Sequence, residues 1–272
     1  PQAEALVRGA EIADAFGCEP ADVACMRSDT LTLASLVDAA SSGAPSALGL
    51  PAIGPHVDGV VVLGRTYDRV FDGSASDVPM IIGSNADEAA TFTAATPIPD
   101  EAAFRARLSL GFPPDLVDAI VTLYDASHFG GDWKRAFDAF FGEVAFNCSA
   151  LALGAAASGG EPVYAYHFTH LLRGAESLGS IHGLDLPFVF GNLGALPRFV
   201  PGPGDRALVE AMQAAWVSFA TSGSPTLAGG WPRYDPSAPA FAIFDDPIEQ
   251  VSEIRDGRCA ELAALGLVPS AP

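Results

Sequence analysis

The chain has 272 residues, 49% of them hydrophobic and 17% charged, a length that suits one large domain. Acidic residues outnumber basic ones by 33 to 14, which gives a formal net charge of −19, and Lys134 is the only lysine. Because no Lys/Arg cluster could neutralise a phosphate backbone, we expect no nucleic-acid partner. The most apolar stretch, 146–160, is too short and too rich in glycine to cross a bilayer, so we predict no membrane span.

The first part of the chain is predicted to be helical and then irregular. Apolar residues at helical spacing predict helix over residues 1–40, with breaks near Gly17 and Pro20. A loop rich in glycine, proline and serine is predicted over 41–55. The apolar residues of 57–64 predict a short strand or extended segment after it.

Buried strands are predicted at three later places. The apolar run in 77–85 is entered through Pro79 and ended by Gly83, which is typical of a buried strand in a parallel sheet. Aromatic and β-branched residues predict a strand over 161–170, and a last strand is predicted over 240–246.

Helices are predicted between these strands. Residues 100–158 are expected to be mostly helical, beginning with an N-cap at Asp100. The clearest helix is 204–223, with Asp205 as its cap and Gly223 as its end. Strands separated by long helical stretches predict an α/β fold with a mostly parallel sheet flanked by helices. So few strands in so long a chain fit a piece of a larger sheet.

Among the five histidines, His182 has the context that best suits catalysis. It lies in a glycine-flanked loop after a strand, where α/β enzymes place catalytic groups, although a lone histidine is more often structural. His167 and His170 lie three residues apart in a predicted strand. That spacing points them to opposite faces and argues against a shared metal site.

Two adjacent carboxylates, Asp87 and Glu88, follow the predicted strand in 77–85. Either could orient a histidine, and spacing alone leaves the choice between them open. The plainer interpretation is that both are solvated residues at the start of a following helix, where negative charge is favourable.

An acid after one strand and a histidine after a later strand match an α/β-hydrolase triad, which runs in the order serine, acid, histidine. The serine should then come first, in a Gly-x-Ser-x-Gly turn, and no such pentapeptide occurs in the 272 residues. Ser180 lies too close in sequence to His182 to be presented from a separate strand–helix turn.

Of the four cysteines, Cys18 and Cys25 lie close enough to bridge a small loop. Cys148 and Cys259 are far apart in sequence, and we expect them not to pair with each other. No cysteine has the Cys/His company of a zinc site, and two neighbouring cysteines indicate an oxidising compartment only weakly.

Seven segments carry the motifs of one known family, in that family's order. They are GCEPADVACMRS at 17–28, GPHVDGVVV at 54–62, DVPMIIGSNADEAATF at 77–92, FNCSALA at 146–152, PVYAYHF at 162–168, SIHGLDLPFVFG at 180–191 and AAWVSFATSGSP at 214–225. Together they resemble the type-B carboxylesterase/lipase family, the cholinesterase-like branch of the α/β-hydrolases. The resemblance covers nearly the whole chain.

The resemblance implies roles for particular residues. Glu88 would be the triad acid and His182 the general base, while Asp185 would support the pair or be structural. The chain departs from the family at Ala89, where glycine is usual, and at Asp185, where glutamate is usual. No metal or organic cofactor is expected. The resemblance also implies a Cys18–Cys25 disulfide, and with it an extracellular or periplasmic location.

The resemblance further implies the C-terminal part of an α/β-hydrolase fold, with residues 1–272 as a single partial domain and the nucleophile-bearing half missing. We expect a serine carboxylesterase acting on a small-molecule ester. Its serine would lie on a segment before Pro1 or on a second chain, so the isolated chain would be inactive. The alternative is a non-catalytic adhesion or interaction module of the same family, which would keep the fold and lose triad residues.

Overall fold

The computed structural model describes residues 2–28, 31–41 and 55–270, and four strands within them form one sheet. The first three strands run parallel and the fourth is antiparallel to the third. Asn85 lies opposite Phe168, so the carboxyl ends of the first two strands meet at the same end of the sheet. In sheet order the strands are β1 (Met80–Asn85), β2 (Val163–Phe168), β3 (Phe241–Phe244) and β4 (Glu249–Val251).

Helices occupy most of the remaining described chain. A π-helical segment, Glu143–Asn147, joins α7 to α8 and makes them one long helical run. The α-helices are α1 (Gln2–Ala15), α2 (Val23–Met26), α3 (Leu33–Ser41), α4 (Thr66–Phe71), α5 (Glu101–Leu108), α6 (Pro114–Leu123), α7 (Trp133–Gly142), α8 (Cys148–Ala157), α9 (Leu186–Val189), α10 (Pro203–Ser222) and α11 (Arg258–Ala264). Single 3₁₀ turns lie at Ala126–Phe129, Glu176–Leu178, Leu193–Ala195 and Arg255–Gly257.

The chain divides into two units, which are described separately. Residues 1–69 with 110–112 form the first unit, and 70–109 with 113–272 form the second. The first unit holds α1, α2 and α3, and a disulfide between Cys18 and Cys25 whose Cα atoms lie 5.8 Å apart. The disulfide that the resemblance implied is therefore present. A single partial domain over residues 1–272 stays a prediction.

The core of the second unit lies on β2 and β3. Five of the six residues of β2 are buried, whereas only the last two residues of β1 are. This difference fits the sheet order, because β2 has a strand on each side and β1 has a neighbour on one side only. Fully buried apolar side chains of β2, β3, α9 and α10 pack together here, each worth about 1.5–3 kcal/mol of burial; they include Phe168, Phe188, Met212 and Phe244.

Most of the elements predicted from sequence are confirmed. The strands of 77–85, 161–170 and 240–246 and the helices of 100–158 are present. Asp100 caps α5 by accepting from the backbone N–H of Ala103 at 2.8 Å. The predicted loop of 41–55 lies almost wholly outside the described residues.

Two local predictions are wrong. Residues 57–64 form no strand, because one carboxylate oxygen of Asp58 accepts from three successive backbone N–H groups, those of residues 60–62, each at 2.9 Å. Those bonds close a turn. Asp205 does not cap α10 either. The cap is Gly202, and Asp205 lies three residues later, where its carboxylate accepts from the Gly202 N–H at 2.5 Å.

The expectation that Cys148 and Cys259 do not pair is also wrong. They form a disulfide across 111 residues, with their Cα atoms 5.1 Å apart. Sequence distance misled the prediction, because α11 folds back against the start of α8. Beside this disulfide, Arg258 forms an ion pair with the fully buried Glu143 at 2.7 Å, which ties α11 to the π-helical segment that leads into α8.

The helical run Trp133–Ala157 is the one described segment that is long and apolar enough to cross a membrane by length and composition. Half of its most apolar window is buried inside the protein. It also carries the buried Glu143 and the disulfide-bonded Cys148. A core helix of a folded protein has these properties, so this run is weak support for a membrane span.

Candidate active site

Glu88 and His182 meet at the carboxyl end of the sheet, although 94 residues separate them in sequence. The Nδ1 atom of His182 lies 2.6 Å from Oε2 of Glu88, a short charge-assisted hydrogen-bond distance. Glu88 lies three residues beyond β1, and His182 lies in the loop that follows β2. Parallel pairing of β1 with β2 is what brings these two loops to the same place.

Asp87 holds the two loops together and does not contact His182. Its backbone N–H donates to the Ser180 carbonyl at 2.9 Å, and its Oδ2 accepts from the Ser180 N–H at 2.8 Å. Gly179 adopts a φ of +73°, and a Cβ there would lie 2.5 Å from that same oxygen. Glycine is therefore required beside Asp87, and the carboxylate that faces the histidine is the next one, Glu88.

Glu88 and His182 differ in exposure in the way that an orienting acid and a working base require. The Glu88 side chain is 7% exposed, and its second oxygen accepts from the Asn85 N–H at 2.7 Å. The His182 side chain is 48% exposed. No group of the described chain bonds its Nε2 atom. With the Nδ1 proton donated to Glu88, the Nε2 lone pair points outward and is free to accept a proton.

Two phenylalanines flank the imidazole. The ring centroids of Phe92 and Phe146 lie 5.2 and 5.0 Å from that of His182, and they stack on each other at 5.6 Å. Phe92 follows Glu88 by four residues, and Phe146 belongs to the π-helical segment. These rings present an apolar wall beside the imidazole, suited to the hydrocarbon part of a ligand.

Asp185 lies behind the pair and contacts β2. It accepts from the Tyr166 hydroxyl at 2.9 Å and from the Asn85 side-chain amide at 3.3 Å. Burial, and then the charge of Asp185, raise the pKa of Tyr166, so its hydroxyl remains a donor. The Tyr166 ring lies over Gly83, where a Cβ would come within 2.3 Å of it. No sequence pattern indicated that Asn85 and Tyr166 would contact Asp185.

The remaining candidates do not join the site. Ser180 is fully buried, and its hydroxyl donates to the Phe168 carbonyl at 2.9 Å, so it is not available as a nucleophile. His170 is bound at both ring nitrogens, by Asp205 at 2.7 Å and by Asp245 at 3.1 Å. Within the described residues no group of three His, Cys, Asp or Glu side chains could hold a metal ion.

A mostly parallel sheet with an acid and a histidine in contact beyond neighbouring strands is typical of the α/β-hydrolase fold. The solved structures agree on the fold. A thermophilic PNB esterase superposes with a TM-score of 0.79 at 22% identity, over 96% of this chain and 54% of its own. The Geobacillus stearothermophilus carboxylesterase gives 0.74 at 28% identity, over 95% of this chain and 54% of its own.

The family follows from the sequence profile of the Carboxylesterase family, which matches residues 2–261, and the chain belongs to that family. The fumonisin B1 esterase of Sphingopyxis macrogoltabida is 34% identical over 195 residues, which are 67% of this chain and 35% of that protein. The para-nitrobenzyl esterase of Bacillus subtilis is 29% identical over 199 residues, 71% of this chain and 40% of that protein. The chain thus spans about half or less of the relatives that it matches.

Proposed function

We propose that this chain supplies the acid and the general base of a serine carboxylesterase, Glu88 and His182, and that the serine comes from polypeptide outside it. The observation that carries the proposal is the 2.6 Å contact between Glu88 and His182 with Nε2 of the histidine left open. Membership of the Carboxylesterase family supports an ester as the substrate. The alternative of an adhesion module has no comparable support, because such a module needs no oriented and accessible histidine.

The side of β1 opposite β2 pairs with no strand of the described residues, so polypeptide outside this chain could extend the sheet there. Backbone N–H groups of Met80 and Ala86 donate to carbonyls on the β2 side. Because strand amides alternate in direction, those of Ile81 and Gly83 point the other way. A further parallel strand on that side would end beside the Glu88 loop.

The chemistry then follows the geometry. His182 Nε2 takes the proton of the serine hydroxyl as its oxygen attacks the ester carbonyl, and Glu88 stabilises the imidazolium that forms. The imidazolium gives that proton to the departing alcohol as the C–O bond breaks and leaves an acyl-serine. Water, deprotonated by the same nitrogen, releases the acid and restores the serine. The rings of Phe92 and Phe146 contact the apolar part of the ester and exclude water from it.

A short-chain p-nitrophenyl ester assay tests the proposal. The 272-residue chain should be inactive alone and active when joined to the polypeptide encoded upstream in its own reading frame. In that joined protein, Glu88→Gln should remove nearly all turnover, because the amide cannot stabilise the imidazolium. Asp87→Asn is the matched control and should keep turnover, because its amide oxygen still accepts from the Ser180 N–H.

Two outcomes would contradict the proposal. Turnover by the isolated chain that disappears in His182→Ala would place the nucleophile within residues 1–272. A folded joined protein without turnover, and without labelling by a serine-reactive organophosphate, would favour the non-catalytic module.

A further inference from the structure

A cation from the far end of the chain contacts the backbone that leads into Glu88. The Nη2 atom of Arg255 donates to the carbonyls of Asn85, at 3.3 Å, and of Ala86. These are the last residue of β1 and the first after it, so the guanidinium lies where the chain leaves the sheet. Arg255 is 170 residues from Asn85 in sequence.

The contacted peptides set the position of the acid. The N–H of Asn85 donates to Glu88 Oε1 at 2.7 Å, and the Asn85 carbonyl accepts from Asn147 Nδ2 at 2.9 Å as well as from Arg255. Asn85 is therefore held on one side by Glu88 and on the other by Arg255 and Asn147. Rotation of either peptide would move the carboxylate away from His182.

Arg255 is held in place by strong constraints of its own. It and Asp256 both adopt a positive φ, +64° and +51°, which costs on the order of 1 kcal/mol or more for each non-glycine residue. Such a turn persists only where its surroundings fix it. Here the fixed points are the Arg258–Glu143 ion pair at 2.7 Å and, one residue later, the disulfide that begins at Cys259.

The charge of Arg255 is partly buried, and no carboxylate of the described residues forms an ion pair with it. Burial lowers its pKa, while the charges of Glu143 and Asp87 act in the opposite direction. Its Nε atom is buried and has no hydrogen-bond partner in the described chain. A partly buried guanidinium directed at two carbonyls loses hydration without gaining a carboxylate partner, so its role here is to bind that backbone.

We propose that Arg255 is a positioning residue that fixes the loop after β1 and thereby holds Glu88 against His182. This inference rests on the proposed function, in which Glu88 and His182 are the acid and the base. The turn at residues 255–257 acts as a clamp, anchored to the π-helical segment and α8 by Arg258 and by the Cys148–Cys259 disulfide. The chemical step should therefore depend on a residue that does not contact the ester.

The test measures the Glu88–His182 hydrogen bond directly in the protein joined to its upstream segment. With ¹⁵N-labelled histidine, the Nδ1 proton of His182 should give a far-downfield NMR resonance, assigned by its loss in His182→Ala. In Arg255→Gln that resonance should move upfield and broaden. The matched control is Arg206→Gln, the same change at an exposed arginine of α10 outside the clamp; it should keep the resonance at a temperature where both variants are folded.

Kinetics of the same variants give a second readout. Loss of a group that orients a catalytic residue typically costs about 10–100-fold, so kcat of Arg255→Gln should fall by that factor with KM unchanged. Arg255→Lys keeps the charge without the fork of N–H groups and should give an intermediate kcat. If Arg255→Gln does not fold, the lysine variant still tests the proposal. An unchanged resonance and an unchanged kcat in Arg255→Gln would overturn the proposal. A wild-type protein without esterase activity would instead sink the proposed function, while the resonance would still decide the role of Arg255.

Discussion

Two histidine–carboxylate clusters lie beyond the carboxyl ends of neighbouring strands, and they are built in opposite ways. His182 has one carboxylate on Nδ1, an open Nε2 and a half-exposed ring. His170 has a carboxylate on each ring nitrogen, Asp205 on one side and Asp245 on the other, and its side chain is 10% exposed. Both would pass a search for a histidine beside an acid.

The difference teaches what a catalytic histidine must lack. A base needs an unbonded nitrogen that faces the substrate, whereas a histidine bound at both nitrogens can only hold its partners together. His170 joins the end of β2, the start of α10 and the residue after β3, which are the elements carrying Thr169, Asp205 and Asp245. The first cluster therefore has the geometry that the proposed catalytic role requires, and the second has the geometry of a structural cluster.

The largest expected effect separates the clusters by activity. In the protein joined to its upstream segment, His182→Ala should lower kcat by about 10⁶, as loss of the triad histidine does in a well-studied serine protease. Its stability should change little, because the ring is half-exposed. Steady-state assays together with urea unfolding measure both quantities. A loss of stability as large as that of His170→Ala would contradict the distinction between the two histidine clusters.

The next effect concerns the clamp around Arg255. In the chain-entropy account of disulfides, the 111-residue link between Cys148 and Cys259 is worth about 5 kcal/mol. The 7-residue link between Cys18 and Cys25 is worth about 2 kcal/mol. Replacing each pair by alanine and comparing urea midpoints tests this order. Equal losses would show that the long link does not constrain the unfolded chain as assumed.

His170→Ala should affect stability and spare catalysis. Removing one partner of a buried charged cluster costs about 3–5 kcal/mol, and the lower end applies here because Asp245 is 40% exposed. Turnover per folded molecule should equal that of the unaltered protein. Circular dichroism melts and active-site titration give the two numbers. A variant that keeps its stability but loses turnover would move His170 into the active site.

The smallest expected effect is a pH dependence of stability from a third histidine, His167, which contacts no carboxylate in the described residues. Burial, and then the Arg255 charge, lower the pKa of His167 from 6.5 to about 3. Between these values the unfolded chain binds a proton that the folded chain does not. The free energy of unfolding should therefore decrease as the pH is lowered through that window, by about 1.4 kcal/mol per pH unit from this group.

His167→Asn provides the control for that titration, because its amide still donates to the Ser84 carbonyl, which lies 3.0 Å from His167 Nδ1. The difference in unfolding free energy between the two proteins should change with pH at the stated slope. A difference that stays constant from pH 7 to pH 4 would mean that His167 does not remain neutral.

The sequence predicted what is local or periodic. Strands β1 and β2 followed from short apolar and aromatic runs, and the loops bearing Glu88 and His182 followed from them. The choice between Asp87 and Glu88 stayed open on spacing alone. It depends on whether a carboxylate faces Ser180 or His182, which only the paired loops determine. The support of Asp185 by Tyr166 was equally invisible, because it crosses from a strand to a later loop.

Contacts between residues far apart in sequence could not be predicted from sequence patterns. Cys148 and Cys259 pair because α11 returns to the start of α8. The residues around each cysteine do not predict this pairing. Arg255 had no motif, since its partners are backbone carbonyls that any residue would offer. In both cases the deciding quantity is a distance between elements, set by packing rather than by periodicity.

The central claim is that the chain provides the acid and the base but not the nucleophile. Reaction of the joined protein with a serine-reactive organophosphate, followed by mass-spectrometric peptide mapping, tests it most directly. We expect one labelled serine per molecule, located outside residues 1–272, and no labelling in His182→Ala. A stoichiometrically labelled serine within residues 1–272, Ser180 included, would contradict it.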